Sequence, residues 1–204
     1  MRKLRGDEIE LQIAFQCAPL ITGLKESNLL NIKKQDYQRM KDIFKESELT
    51  IYPLGIHAGK ITVFLYHRER LEKFFSGESV LALLHEIGYI DTDLKQVLPV
   101  FRTHYQQYLK EKKVFPHEMG LLLGYPPEDV KGFIRNQGKN YLYSGYWKVY
   151  DRPHEKIRLF KKYEHSREKL IQLLSYGMRI EEIIAICSNT EIWQLVDCDC
   201  QYAS

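Results

Sequence analysis

The sequence has few cysteines, few prolines, no long apolar run and almost no net charge. Its apolar stretches, such as residues 121–123, fall far short of the ~20 residues that a membrane-spanning helix needs. We therefore expect no membrane partner. The net charge is only +3, from 30 basic and 27 acidic residues. Such a balanced surface gives no general attraction to nucleic acid or anionic lipid, so nucleic acid is disfavoured as a partner.

The sparse cysteines and the polar N-terminus both point to a reducing compartment. A chain of 204 residues needs no disulfide staples, so its four cysteines are expected as free thiols. The N-terminal residues Arg2, Lys3 and Arg5 are followed by Asp7 and Glu8 rather than by the apolar segment of a signal peptide. We therefore expect a cytoplasmic protein. Cys198 and Cys200 have no second cysteine pair, so no metal site is expected from them.

The chain does have enough apolar material for a folded core, with 44% hydrophobic and 28% charged residues. Residues 49–56 and 61–66 are β-branched, aromatic and apolar, and a short connection containing Gly59 joins them, which predicts a hairpin. Pro53 cannot donate to a strand ladder, so its strand is expected at a sheet edge. The second strand is apolar on both faces, so we expect it at the centre of the sheet.

The remaining elements predict an α+β fold. Further strands are expected at residues 23–33 and 145–150, the latter returning to the sheet. Apolar spacing and capping signals predict helices over 8–17, 34–48, 68–75, 78–86, 91–110, a short stretch ending at 123, a stretch opened by 126–129, a long stretch from 153, and 180–187. We expect a small, mainly antiparallel sheet of about four strands with helices packed around it. The single α+β domain would cover residues 1–175, followed by a C-terminal helix and an irregular acidic tail over 176–204.

Residues 117–134 have the spacing of a helix-turn-helix hairpin, with Gly124 at the turn. A DNA reader needs cationic or amide side chains at the start of its second helix. Here residues 126–129 supply two prolines and two carboxylates, which favours a hairpin that only packs. The basic stretch 148–169, with eight basic and four acidic residues, suggests a solvated helix face or an anion-binding stripe. A DNA-binding regulator that uses the hairpin and the helix near Lys161 stays as an alternative.

Cys17 is the thiol best placed for chemistry, because it lies near the end of a predicted helix where a histidine or a helix end can activate it. His117 and Glu118 resemble the opening of a zinc-protease helix, but Leu121 stands where the second histidine belongs. A thiol-dependent enzyme would use Cys17 as nucleophile, His117 as base and Glu118 as the residue that orients the base. A buried structural cysteine is the simpler interpretation.

Aromatic and basic residues are concentrated together near residues 139–150. Tyr146 and Trp147 stand beside Lys148, a mixture that stacks a planar ligand or a base while holding an anionic group. The same residues would also serve as core and strand packing. The pattern therefore leaves ligand binding and packing both open.

Three stretches form a distinctive set of motifs. The longest reads FPHEMGLLLGYPPEDVKGFI over residues 115–134, continued by Gly138 and by GYWKVY over 145–150. The others are Cys17-Ala18-Pro19 with Gly23-Leu24-Lys25, and Phe64-Leu65-Tyr66 with Arg68 and Leu71. Together they resemble a bacterial family catalogued as domain of unknown function 3793. The resemblance spans nearly the whole chain, with small departures at Pro127, where leucine is more familiar, and at His67.

The resemblance implies no activity or catalytic residue, and it leaves the cofactor unknown. It implies a bacterial protein with a link to iron or redox metabolism. It marks the motif positions that bear chemistry, which are Cys17, Lys25, Arg68, His117, Glu118, Tyr146, Trp147 and Lys148. The favoured hypothesis is a cytosolic small-ligand-binding or regulatory protein. Its anionic or planar ligand would lie in a pocket lined from Lys25, Arg68, His117, Trp147 and Lys148.

Overall fold

The computed structural model describes residues 8–112 and 115–189, and in these ranges the chain forms nine helices and five strands. The helices are α1 (Glu8–Ile21), α2 (Tyr37–Ile43), α3 (Arg68–Phe75), α4 (Glu78–Glu86), α5 (Leu94–Glu111), α6 (Glu118–Leu122), α7 (Pro127–Arg135), α8 (Pro153–Ser175) and α9 (Ile180–Ser188). The strands are β1 (Ser27–Lys33), β2 (Leu49–His57), β3 (Lys60–His67), β4 (Tyr143–Ser144) and β5 (Lys148–Val149). The expected α+β architecture is confirmed.

The main sheet is antiparallel with the order β1-β3-β2. The predicted hairpin joins β2 to β3 through Ala58 and Gly59, whose φ angles of 48° and 74° are those of a tight hairpin turn. Pro53 lies on the edge strand, and the register of β2 shifts between Pro53 and Gly55. Both the edge position of β2 and the central position of β3 agree with the sequence prediction.

The central strand β3 separates two hydrophobic cores. Ile61, Val63 and Leu65 face the first core, together with buried side chains of α1, α2, α8 and α9. Phe64 and Tyr66 face the second core, built with α3, α4, α5, α6 and Val130 of α7. Because consecutive strand residues point to opposite faces, the continuous apolar run of β3 covers the sheet on both sides.

The expected strand over residues 145–150 does not return to the main sheet. Only Lys148–Val149 is extended, and it pairs antiparallel with β4 as a separate two-stranded ribbon. The physical reason is a competing acceptor, because the backbone N–H of Tyr150 donates to the Asp129 carboxylate of α7 at 2.7 Å. Helix α7 therefore fixes this segment in place of a fourth sheet strand.

Two helix boundaries also differ from the prediction. Helix α1 runs through Pro19 to Ile21, whereas the sequence predicted a helix over 8–17. The proline removes only the hydrogen bond to the carbonyl of Phe15, a residue on the exposed side of the helix. The helix expected over 34–48 is a 3-10 turn, Lys34–Asp36, followed by α2.

The predicted hairpin is present as α6 and α7, joined by a turn at Gly124 with φ of +70°. A Cβ on Gly120 would lie 2.8 Å from Cγ2 of Val130, so glycine allows the close approach of the two helices. Helix α9 packs into the first core through Ile180, Ile183 and Ile184. Cys198, Cys200 and the acidic tail expected after α9 lie outside the described residues.

The length and hydropathy of the described helices can be compared with what a membrane-spanning element requires. None of the helices within 8–112 and 115–189 combines the length and apolarity that crossing a bilayer requires. The longest, α8 (Pro153–Ser175), carries many charged residues and packs its buried face against α1.

Candidate functional site

The hairpin helices and the β5 segment enclose a cavity of about 290 Å³, here called the aromatic cavity. Most of its lining side chains are aromatic or apolar, with one imidazole, one ammonium and one carboxylate group. They are Phe115, His117, Met119, Leu123, Tyr125, Asp129, Val130, Phe133, Trp147 and Lys148, and Gly120 contributes backbone. A concave apolar site with few polar groups is typical of a small-molecule binding site.

Ring–ring contacts shape two walls of the aromatic cavity. Tyr125 and Trp147 stack with centroids 4.8 Å apart and planes inclined by 26°. Phe115, His117 and Phe133 form a second ring cluster, with centroid separations of 5.8 to 6.2 Å. Rigid ring faces favour a flat ligand, because planar π-systems gain most contact when they stack or meet edge to face.

Asp129 fixes the position of Trp147. Its carboxylate accepts the indole N–H at 2.7 Å and also the backbone N–H groups of Tyr150, at 2.7 Å, and Asp151, at 3.1 Å. Asp129 is only 2% exposed, so these three donors replace the water that the carboxylate loses. The buried carboxylate therefore orders the cavity wall.

Two polar groups of the lining are available to a ligand. The Nδ1 atom of His117 is buried and has no hydrogen-bond partner within the described part of the chain. The Lys148 ammonium donates to the carbonyl of Gly138 at 2.6 Å and lies 5.8 Å from the Phe133 ring centroid. An ammonium group has three donors, so Lys148 can also bind an anionic group.

Tyr146 does not line the aromatic cavity. Its ring packs against Phe160 and Tyr163 of α8 at centroid distances of 5.4 and 5.0 Å. Burial raises the pKa of its hydroxyl, which has no hydrogen-bond partner among the residues described. Tyr146 therefore supports the wall from behind, and its backbone carbonyl accepts the Tyr125 hydroxyl at 3.5 Å.

Lys25 is buried beside the aromatic cavity without lining it. Its ammonium lies 5.5 Å from the centroid of the Tyr125 ring and donates to Oδ1 of Asn28 at 3.3 Å. Burial lowers the pKa of Lys25 to about 8. Lys25 thus contacts a wall residue from outside the cavity.

Cys17 is fully buried in the first core. Its Sγ accepts a hydrogen bond from Nδ2 of Asn28 at 3.6 Å. Burial raises the pKa of the thiol to about 11, although Asn28 and Lys25 act in the opposite direction. Since the thiolate is the nucleophile, a thiol with this pKa is unreactive at neutral pH.

The expected Cys17–His117–Glu118 arrangement does not form. Cys17 bonds to Asn28, whereas His117 lines the aromatic cavity. Glu118 is 5% exposed, and its Oε1 accepts from the hydroxyl of Tyr89 at 3.1 Å and from Nδ1 of His104 at 2.7 Å. The carboxylate therefore orients His104, because α6 presents His117 and Glu118 to different neighbours.

His104 belongs to a second concavity, here called the His104 groove, of about 410 Å³. The groove shares Phe115 and His117 with the aromatic cavity. No sequence pattern marked His104, because its partner Glu118 comes from another helix. The pair forms only when α5 and α6 pack.

Arg68 lies in a third and more polar concavity of about 670 Å³, with His67 and Arg70. The expected pocket of Lys25, Arg68, His117, Trp147 and Lys148 is therefore only partly assembled. His117, Trp147 and Lys148 meet in the aromatic cavity, while Arg68 and Lys25 do not line it.

The start of α7 matches the electrostatics expected from the sequence. Glu128 pairs with Arg152 at 2.7 Å and with Lys156 at 3.1 Å, and both cations belong to the basic stretch 148–169. These contacts neutralise part of that stretch and place carboxylates where a DNA-reading helix carries donors. Within the described ranges, no three His, Cys, Asp or Glu side chains are grouped to hold a metal ion.

The sequence prediction missed Phe115 and Phe133 as cavity residues. Both stood inside the motif over residues 115–134, and neither was singled out as a ligand-binding residue. The sequence feature that could have identified them is the concentration of aromatic residues near His117. Aromatic residues in a core and in a cavity wall give the same sequence pattern, however, so this feature does not separate the two.

Comparison with known proteins gives a family but no function. A family model described as "Protein of unknown function (DUF3793)" matches residues 13–184, which include every lining residue of the aromatic cavity. Searches of curated proteins and of solved structures found no match.

Proposed function

The chain belongs to the DUF3793 family, whose description gives no function. From the geometry of the aromatic cavity we propose that the protein binds a small planar ligand that carries an acidic group. The flat part of the ligand lies between the Tyr125–Trp147 pair and the cluster of Phe115, His117 and Phe133. Lys148 binds the acidic group. A regulatory role, a cytoplasmic location and the link to iron or redox metabolism remain predictions from the sequence and the resemblance.

One observation carries this proposal, the buried Nδ1 of His117 without a partner in the described structure. Leaving a buried polar atom unsatisfied costs about 1–3 kcal/mol, so such atoms are rare in folded proteins. A ligand in the adjoining cavity supplies the missing hydrogen bond. Lys148 adds positive charge beside the same rings, which explains the preference for an acid.

No described contact favours the two alternatives. A thiol enzyme needs a thiolate near a base, and Cys17 bonds to Asn28 in the core. A DNA-binding hairpin needs donors at the start of α7, where Glu128 and buried Asp129 stand. We therefore put small-ligand binding first.

The proposal is tested with 2-naphthoate, a flat two-ring acid, and with its neutral analogue 2-naphthamide. Calorimetric titration should show saturable binding of 2-naphthoate to the wild-type chain. Lys148→Met should weaken 2-naphthoate about tenfold, the effect of losing a contact worth about 1.4 kcal/mol, and should change 2-naphthamide little. Lys139→Met is the matched control, since Lys139 is exposed and lies outside the cavity lining.

His117→Phe separates the imidazole from the ring packing. Phenylalanine keeps the contacts with Phe115 and Phe133 but removes Nδ1. Binding of both naphthalene probes should weaken, while the thermal stability of the unliganded chain should rise, because the unsatisfied buried Nδ1 is removed. Equal affinities in the wild type, Lys148→Met and His117→Phe would contradict the proposal.

A further inference from the structure

His104 and Glu118 form a dyad with a fixed hydrogen-bond direction. The Oε1 atom of Glu118 accepts from Nδ1 of His104 at 2.7 Å and from the Tyr89 hydroxyl at 3.1 Å. A carboxylate only accepts hydrogen bonds, so Nδ1 of His104 carries the proton. In the neutral imidazole, Nε2 is then the acceptor.

The Glu118 side of the dyad is buried, and the His104 side is exposed. The Glu118 side chain is 6% exposed, whereas the His104 side chain is 47% exposed and lines the His104 groove. Burial of Tyr89 raises the pKa of its hydroxyl, so it stays a donor to Glu118 at all ordinary pH values. Nε2 of His104 makes no hydrogen bond to any residue that the structure describes. Glu118 therefore holds His104 in one orientation, with Nε2 as an acceptor for a donor from a ligand in the groove.

The His104 groove borders the aromatic cavity. Phe115 and His117 line both, and His117 is followed directly by Glu118 in the chain. One ligand can therefore place its flat body in the aromatic cavity and extend past His117 toward His104. Lys148 and His104 belong to different parts of this combined surface, so they would meet different groups of that ligand.

We propose that the planar ligand carries a second polar group, a hydroxyl, that donates a hydrogen bond to Nε2 of His104. This inference rests on the proposed function, because it specifies the class of ligand that the aromatic cavity binds. The ligand is then a flat aromatic acid with a hydroxyl remote from its acidic group. Glu118 stabilises positive charge on the imidazole whenever the proton moves from the hydroxyl toward Nε2.

The test compares 2-naphthoate with its monohydroxy isomers, which together place a hydroxyl at each free ring position. At least one isomer should bind the wild-type chain three- to tenfold more tightly than 2-naphthoate, the usual value of one added hydrogen bond. His104→Phe should abolish this gain and leave 2-naphthoate affinity unchanged. Tyr89→Phe is the matched control, since it removes the other donor to Glu118 and keeps His104, and it should retain the gain.

His104→Phe leaves the Glu118 carboxylate with fewer donors and could unfold the chain. The double variant His104→Phe/Glu118→Met removes that buried charge, so it keeps the test usable. If 2-naphthoate binds but no isomer gains affinity, or the gain persists in both His104 variants, the inference about His104 is overturned and the proposed function stands. If 2-naphthoate itself does not bind, the proposed function fails and this inference fails with it.

Discussion

Asp129 accepts the indole N–H of Trp147 at 2.7 Å, and this bond joins helix α7 to the wall of the aromatic cavity. The same carboxylate accepts two backbone N–H groups from the segment that follows β5. One buried side chain thus fixes both an aromatic wall and the strand that carries Lys148. The shape of the candidate site depends on an acidic residue that need not touch the ligand.

Asp129→Asn should destabilise the chain by about 3 kcal/mol, because an amide weakens charge-assisted hydrogen bonds and turns an NH₂ group toward buried donors. Asp151→Asn is the matched control on an exposed neighbour and should change stability by less than about 0.5 kcal/mol. Urea unfolding followed by circular dichroism measures both. Equal stability of the two variants would show that the Asp129 network does not hold the site together.

Gly145→Ala should lower stability by about 2 kcal/mol through overpacking. An added Cβ would lie 2.4 Å from two ring atoms of Phe160, whose ring also contacts Trp147 at a centroid distance of 4.6 Å. Displacing Phe160 should therefore also weaken 2-naphthoate binding. Gly55→Ala, where the nearest atom is the flexible Gln106 side chain at 3.4 Å, is the control. Thermal unfolding and calorimetry of both variants check this, and identical behaviour would refute it.

The three strands of the main sheet could be predicted from the sequence. The hairpin, the edge position of Pro53 and the central position of β3 follow from local patterns, namely a glycine turn and a two-sided apolar run. The prediction that the strand at 145–150 pairs with the main sheet was wrong. The backbone N–H groups of Tyr150 and Asp151 donate instead to the side chain of Asp129 on α7. The periodicity of apolar residues carries no information about a contact between a side chain and the backbone of a distant segment.

The candidate site was predictable only in part. His117, Trp147 and Lys148 were singled out because ring and charge types stood together in the motif. Their separation from Cys17 and Arg68 depends on how the helices pack around the sheet, and that arrangement arises from long-range contacts. The partner of Glu118 could not be predicted, because the sequence does not show whether its carboxylate contacts His104 of the preceding helix or the adjacent His117.

Lys25→Met should stabilise the chain most below pH 8, and the gain should shrink as the pH rises from 8 toward 10.5. Burial lowers the folded pKa of Lys25 from 10.5 to about 8, so the folded state carries the penalty of a buried cation only while the amine is protonated. A shift of this size corresponds to about 3 kcal/mol. Loss of the hydrogen bond to Asn28 reduces the net gain.

Chemical denaturation at several pH values measures the difference between Lys25→Met and the wild type. Lys41→Met serves as control, because Lys41 also lies over a tyrosine ring, Tyr37, at 5.3 Å. A stability difference that grows with pH between 8 and 10.5 would contradict the assignment of a depressed pKa to Lys25.

Cys17 should resist alkylation in the native chain at pH 7.5. Burial raises its thiol pKa to about 11, so almost no thiolate is present, and the side chain is inaccessible. Partly exposed Cys187 should react before Cys17. Peptide mapping after iodoacetamide treatment resolves the sites, and labelling in denaturant is the positive control. Native labelling of Cys17 as fast as that of Cys187 would instead support the thiol-enzyme alternative.

The central claim is that the aromatic cavity binds a flat acid between Trp147 and the His117 cluster. Nuclear magnetic resonance titration with 2-naphthoate tests it most directly, following the indole N–H of Trp147, assigned through Trp147→Phe, and the ring resonances of His117. The account predicts saturable shifts of both, with the Lys148→Met variant saturating at higher ligand concentration. Unchanged Trp147 and His117 resonances at millimolar 2-naphthoate, or shifts confined to the surroundings of Arg68, would contradict it.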